Sequence, residues 1–240
     1  LEFRRVLFRS QLSHCCVGDT LTPVDGSGLL PQTSLSSGNI LSEDTTILET
    51  YAPTEEDIYR VTTMYGYYIK GNGTHPLLVR DFTNSEERVF KYLKNLDKGS
   101  YVYLKLGSHC FGKTDFSFLN LSGSNEQIAE FLALCYALAY VKQDSIYITI
   151  PTEKRARYNR VSDLVSQVLP SDSYSDFIQG KNYVFKIIDS SLISLLLSMG
   201  CTEKFSERRV PSCILSSDKP TMKSFIRSFF LYQEIGRAHV

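Results

Sequence analysis

Ser124-Asn-Glu-Gln-Ile-Ala-Glu-Phe-Leu-Ala-Leu-Cys-Tyr-Ala-Leu-Ala-Tyr140 is where the character of this chain changes. A serine stands three positions ahead of Gln127, which is helix-start chemistry, and Ile128 to Tyr140 then run without glycine or proline, so a helix is expected here. Downstream, the pattern predicts a strand over Ser145 to Ile150, a charged helical stretch to Leu169 and a strand around Tyr183 to Ile188. A helix to Met199 capped by Gly200 and a last helix from Lys219 complete that half. Upstream, from Cys15 to about Asn120, the signals are short β-like runs: Thr46 to Glu49, Ile58 to Met64, Tyr67 to Lys70, Leu77 to Asp81 and Tyr101 to Leu106. Gly66, between two aromatic and β-branched runs, reads as a hairpin turn. Asp25 to Asp44, rich in Ser, Gly and Pro, reads as an irregular loop. The expected fold class is α+β, a mostly-β part followed by an αβ part, with the boundary near Gly107 to Gly123.

The two ends read as something other than protein. Leu1 to Ser10 back-translates without a gap as CTG GAG TTC AGA CGT GTG CTC TTC CGA TCT, a common sequencing-library adapter. Glu234 to Val240 back-translates as GAG ATC GGA AGA GCA CAC GTC, which past its first base is the reverse complement of the other end. Residues 1–10 and 234–240 are therefore expected to be adapter translations, excluded from fold reasoning. Without their four arginines and two glutamates, the balance of 26 Lys+Arg against 26 Asp+Glu becomes 22 against 24. A globally basic nucleic-acid binder is not indicated. No apolar run reaches the roughly 18 to 20 residues a spanning helix needs, the longest being Ile128 to Val141 and Leu192 to Met199, so no membrane is expected. The six cysteines, at 15, 16, 110, 135, 201 and 213, form no CxxC pair. A reducing, cytoplasmic setting without a zinc site is the natural reading.

Three short motifs occur in order in the β half: Cys15-Cys-Val-Gly-Asp-Thr-Leu, Gly71-Asn-Gly-Thr-His-Pro-Leu-Leu-Val and Leu96-Asp-Lys-Gly-Ser-Tyr-Val. Taken singly, a cysteine pair or a histidine after a strand is ordinary. In this order and spacing they resemble the first splicing motif, the second splicing motif and the following Leu-x-x-Gly-Asp-Tyr-Val stretch of inteins. The resemblance implies a horseshoe-like Hint domain, of which residues 15–120 would be the N-terminal part and residues 11–14 a remnant of the flanking extein. Counting back from Gly18-Asp19-Thr20 makes Cys15 the nucleophile, with Cys16 the alternative by register. His75 matches the motif histidine, and Asn72 stands where the family usually has Thr.

The chemistry asks for these residue types. A cysteine thiolate attacks the carbonyl of the preceding residue, His14, and turns a peptide into a thioester through a tetrahedral intermediate. The departing amine of Cys15 needs a proton, which an imidazole such as His75 supplies as general acid. Asn72 or nearby backbone amides would stabilise the oxyanion. The resemblance implies single-turnover autoprocessing with the chain's own flanking extein segments as partners and no cofactor. The later steps need a terminal His-Asn pair with a Cys, Ser or Thr beyond it, and none appears before Gln233; the chain alone is expected not to splice.

Asn125 to Thr149 resembles the first LAGLIDADG helix and the strand after it. Arg209-Val-Pro-Ser-Cys-Ile-Leu followed by Phe225-Ile-Arg-Ser-Phe-Phe-Leu-Tyr-Gln resembles the lead-in and second LAGLIDADG helix. Residues 121–233 would then be an endonuclease-like domain. The positions of its metal-binding acids fall on Leu138 and Gln233, which carry no carboxylate. The resemblance thus implies a nuclease that has lost its activity, with Mg²⁺ relevant only to an active form. The basic run Lys154-Arg-Ala-Arg-Tyr-Asn-Arg gives Lys154, Arg155, Arg157 and Arg160 as candidate contacts to double-stranded DNA, with a solvated helix face as the equal alternative. Three further readings stand beside self-processing: a DNA-binding or DNA-cleaving homing endonuclease, from which Leu138 separates it; a Hint domain of the hedgehog or bacterial type, which would lack the second half; and a two-domain protein of another role.

Overall fold

A computed structural model describes residues 16–41, 45–50, 57–80, 88–103, 110–198 and 208–233. The chain is mixed α and β, built from several small antiparallel sheets and a set of helices. It divides into two compact units, Leu1–Val24 with Leu30–His109, and Asp25–Leu29 with Cys110–Val240.

The chain up to His109 is made of short strands: β1 (Leu21–Val24), β2 (Gly28–Pro31, whose first two residues are counted with the second unit), β3 (Ile40–Leu41), β4 (Thr45–Thr46), β5 (Ile58–Thr62), β6 (Tyr68–Asn72), β7 (Pro76–Arg80), β8 (Arg88–Tyr92) and β9 (Tyr101–Val102). Strands β2-β1-β3-β4 form one sheet, β5-β6 a hairpin, and β8-β7-β9 a three-stranded sheet. Gly66 closes the hairpin as expected: its φ of +84° suits a residue without Cβ, and the Thr63 amide donates to Tyr67 O at 2.8 Å.

The strand expected over Thr46 to Glu49 is only Thr45–Thr46, and other expectations for this half need correction too. Within the stretch Asp25 to Asp44 expected to be an irregular loop, residues 25–41 hold β2, a 3₁₀ turn at Gln32–Ser34 and β3, while residues 42–44 lie outside the described residues. Strands of two to four residues carry too few alternating positions to stand out against turn-forming neighbours. Strand β8 was also unforeseen. It leaves Phe90 exposed and half-buries Lys91, inverting the apolar-in pattern by which a strand is recognised.

In the second unit, α1 (Asn125–Leu138) begins with a full capping box: the Gln127 amide donates to Ser124 Oγ, and the Ser124 amide donates to Gln127 Oε1 at 2.8 Å. There follow β10 (Ala139–Lys142), β11 (Ser145–Pro151), α2 (Arg155–Val168), β12 (Tyr174–Gln179), β13 (Asn182–Ile187), α3 (Ser190–Ser198), the single turn α4 (Ser212–Leu215) and α5 (Lys219–Gln233). The sheet order is β10-β11-β13-β12, antiparallel throughout. Ile146, Ile148 and Ile150 of β11 point to one face and are fully buried with Phe131 and Leu132 of α1, Val161 and Val165 of α2, and Phe225 of α5. Helix α1 is buried nearly all round, as the central element of a layered core should be. It lies against α5, with Tyr136 edge-on to Phe229 at 5.3 Å between ring centres.

Helix α1 stops at Leu138 rather than running on to Tyr140, because Ala139 and Tyr140 enter β10 and pair with β11, and the guanidinium of Arg208 caps the end by taking the carbonyls of Tyr136 and Ala139. That cap arrives from about 70 residues away and leaves no local signal. The edge strand β12 was likewise unforeseen, its residues being largely exposed. No helix among the described residues is long and apolar enough to cross a membrane.

Candidate active site

The first motif enters the structure at Cys16, which bridges Gly71 of β6 in antiparallel fashion, and the Val17 amide donates to Lys70 O at 3.2 Å. The Gly18-Asp19-Thr20 turn that follows is clamped from the other side: Thr33 N–H donates to Gly18 O at 3.1 Å and Gln32 N–H to Thr20 O at 2.9 Å. A strand on one side and a 3₁₀ turn on the other thus fix the backbone just after the cysteine pair. Cys15 and His14 lie outside the described residues.

The second motif forms the link between β6 and β7. Its turn is closed by His75 N–H to Asn72 O at 3.1 Å, and the 3₁₀ turn Leu93–Asn95 braces it through Leu93 N–H to His75 O and Lys94 N–H to Gly73 O. Space is tight at Gly73, where a Cβ would lie 2.9 Å from the Tyr59 ring and 3.3 Å from Lys94, so those side chains would have to shift to admit one. The Asn72 side chain at the end of β6 is 2% exposed. The third motif is a turn, Ser100 N–H to Asp97 O, that lays β9 on β7 with Val102 opposite Val79. The first motif thus meets β6, the second links β6 to β7, and the third lies on β7.

The Cys16 thiol touches the His75 ring, at 3.5 Å from Nε2 and 3.6 Å from Nδ1. Nearly equal distances place the sulfur on the bisector of the two nitrogens, not along the lone pair of either. The contact is close approach rather than an aligned hydrogen bond. It nonetheless brings a thiol and an imidazole together from 59 positions apart, both half-buried. Cys110, Cys135 and Cys213 are buried, and burial pushes the Cys213 thiol up to about 11, so it carries negligible thiolate at neutral pH.

In the second unit, Leu138 and Gln233 end α1 and α5, and the two helix ends meet: Gln233 Nε2 donates to Ala137 O at 2.9 Å. Arg208 takes Tyr136 O and Ala139 O, and Arg157 Nη2 takes Tyr232 O at 2.5 Å. Both helix C-termini are met by amide and guanidinium donors. A leucine, a glutamine amide and two arginines are the wrong donor set for Mg²⁺, which wants carboxylate oxygens. Among the described residues no group of three or more His, Cys, Asp or Glu side chains gathers anywhere.

The basic run is split by the fold. Lys154 is the residue before α2 and Arg155 opens that helix, exposed. Arg157 is half-buried, whereas Arg160 stays exposed while pairing with Glu130 Oε1 at 2.8 Å, an oxygen that also accepts from Tyr232 Oη at 3.1 Å. Sequence reasoning overlooked the outer face of the sheet. Tyr140 stacks on Tyr147 at 5.5 Å, and the same face carries Lys142, Lys186 and Thr149 with no carboxylate at its strand positions. The alternation Tyr147, Thr149 against Ile146, Ile148, Ile150 was the available signal. Neither a protein-family model nor a curated protein sequence matches the chain.

Proposed function

We propose that the first unit is the N-terminal part of an intein-type self-processing domain, acting on the peptide bond just upstream of its cysteine pair. The observation that carries this reading is the thiol–imidazole contact between Cys16 and His75, held by the Cys16–Gly71 bridge and the braced turn at Gly73. In the step proposed, the Cys15 thiolate attacks the His14 carbonyl carbon and a C–S bond forms. The C–N bond breaks as His75 gives its proton to the nitrogen, leaving a thioester on His14 and a free amine on Cys15. In this reading Asn72, buried at the end of β6, donates to the oxyanion, a role whose loss costs roughly 10²–10³ in rate. Cys16 keeps the alternative register, in which the attacked carbonyl is that of Cys15.

The test is thiol-induced cleavage of the full chain in dithiothreitol, followed by mass spectrometry. Cleavage lost in Cys15→Ala and in His75→Ala, but kept in Cys16→Ala, supports the reading. Cleavage lost only in Cys16→Ala moves the nucleophile by one residue. Failure of all forms, wild type included, sinks the self-processing assignment.

A second reading concerns the other unit: a nuclease-like module that binds duplex DNA without cutting it. It is favoured by the antiparallel sheet with helices on one face and the stacked Tyr140–Tyr147 pair with Lys142 and Lys186 on the other. Duplex binding weakened by K142Q/K186Q, with no strand scission in added Mg²⁺, is the expected result; scission in Mg²⁺ would contradict it.

A further inference from the structure

Hairpin β5–β6 carries a charge arrangement that its own stability does not call for. Arg60 and Lys70 are direct cross-strand partners, and like charges at such a pair are destabilising. Between Ile58 and Asn72 the sequence has no aspartate or glutamate to offset them. Both cations are instead drawn to one ring: the Arg60 guanidinium carbon is 4.5 Å, and Lys70 Nζ 5.8 Å, from the centre of Tyr68. Beyond them the hairpin tip offers Met64, Tyr65 and Tyr67 to solvent, 89%, 80% and 60% exposed. An exposed patch of this kind marks an interaction surface.

The composition selects the partner. Two gathered cations suit a phosphate backbone, and open tyrosine faces suit unpaired bases, which stack on aromatics irrespective of sequence. A second copy of the chain fits poorly, since a two-fold contact through this patch would bring two Arg60–Lys70 pairs together. A lipid surface fits poorly too, because Met64 is the one aliphatic side chain at the tip. We propose that hairpin β5–β6 is a docking surface for single-stranded nucleic acid, with backbone phosphates at Arg60 and Lys70 and bases on Tyr65 and Tyr67. This stands apart from the self-processing reading and from the duplex-binding reading of the second unit.

The experiment is fluorescence anisotropy of a labelled oligothymidylate titrated with the full chain between roughly 50 mM and 200 mM salt. Binding should weaken as salt rises. R60Q/K70Q should lower affinity and reduce the slope of log K against log salt by about 1.4, two phosphate contacts' worth on a single strand. Y65A/Y67A should weaken binding about tenfold or more with the slope unchanged. K142Q/K186Q and K154Q/R155Q should stay within about twofold of wild type. The melting temperature of R60Q/K70Q should hold or rise, since a repulsive pair is removed, so loss of binding there cannot be laid to unfolding. No binding at low salt, or affinity unchanged in both hairpin variants, overturns the proposal. So does capture of the chain by phosphatidylserine vesicles, or tip-dependent self-association, without oligonucleotide binding.

Discussion

The two units solve the problem of cohesion differently. In the second, one continuous apolar cluster runs from Phe116 to Tyr232 and takes in α1, α2, α5 and the inner sheet face. In the first, the buried apolar side chains among the described residues are Val24, Val79 and Leu93, while Tyr65, Tyr67, Tyr68, Phe90 and Tyr101 stand in solvent. One unit is held by burial of side chains and the other chiefly by ladders, turns and 3₁₀ braces of the backbone. Burial stabilises by area removed from water, whereas a backbone hydrogen bond exchanged with water contributes only about 1 kcal/mol net. The Cys16–His75 contact therefore sits in the unit with less side-chain burial.

Substitutions can break this contrast. The largest effect is expected from Phe131→Ala, whose ring is fully buried in the second core: a loss of about 3–5 kcal/mol in urea unfolding, with amide protection collapsing across α1, α5 and β11. Next comes Val79→Ala at the centre of β8-β7-β9, about 2 kcal/mol, read as lost protection in β7 and its neighbours while the second unit's amides keep theirs. Equal loss of protection in both units from either change would show one cooperative body.

A smaller effect tests a helix end. Asp218 Oδ1 accepts the Thr221 amide at 2.9 Å at the start of α5. Burial opposes ionisation of Asp218, but the Thr221 amide and hydroxyl and the Thr114 hydroxyl outweigh it and hold the carboxyl below its usual range. A depressed folded-state pKa contributes stability above the unfolded value that is lost as pH falls through the folded one. Asp218→Ala should therefore cost about 1 kcal/mol at neutral pH and progressively less below pH ~4. A cost constant down to acid pH would mean that the carboxylate is not the cap.

The same contrast governs what the sequence made legible. The second unit announces itself because its signals are local and repeated: Ser124 and Gln127 foretell the capping box, and apolar spacing foretells α1, α2 and α5. What stayed hidden there is imposed from far away, as when Arg208 caps the end of α1 or when β12 exists as a partner for β13 rather than through its own pattern. In the first unit the reading came from motif order rather than periodicity. His75 and Asn72 were legible as residue types, but not the Gly73 brace or the Cys16 contact, which depend on Lys94 and Lys70 being brought alongside. The basic run gave residue types only, because one-dimensional charge does not reveal that Tyr232 O lies within reach of Arg157 and Glu130 within reach of Arg160.

The central claim is a bond broken by a cysteine on its own upstream side. Treatment of the intact chain with hydroxylamine, which converts a thioester into a hydroxamate, reads that bond out by the mass of the released peptide. The account predicts a peptide ending in a His14 hydroxamate, strongly reduced in His75→Ala. Release of no such peptide, or release at the same rate without the imidazole, would contradict it.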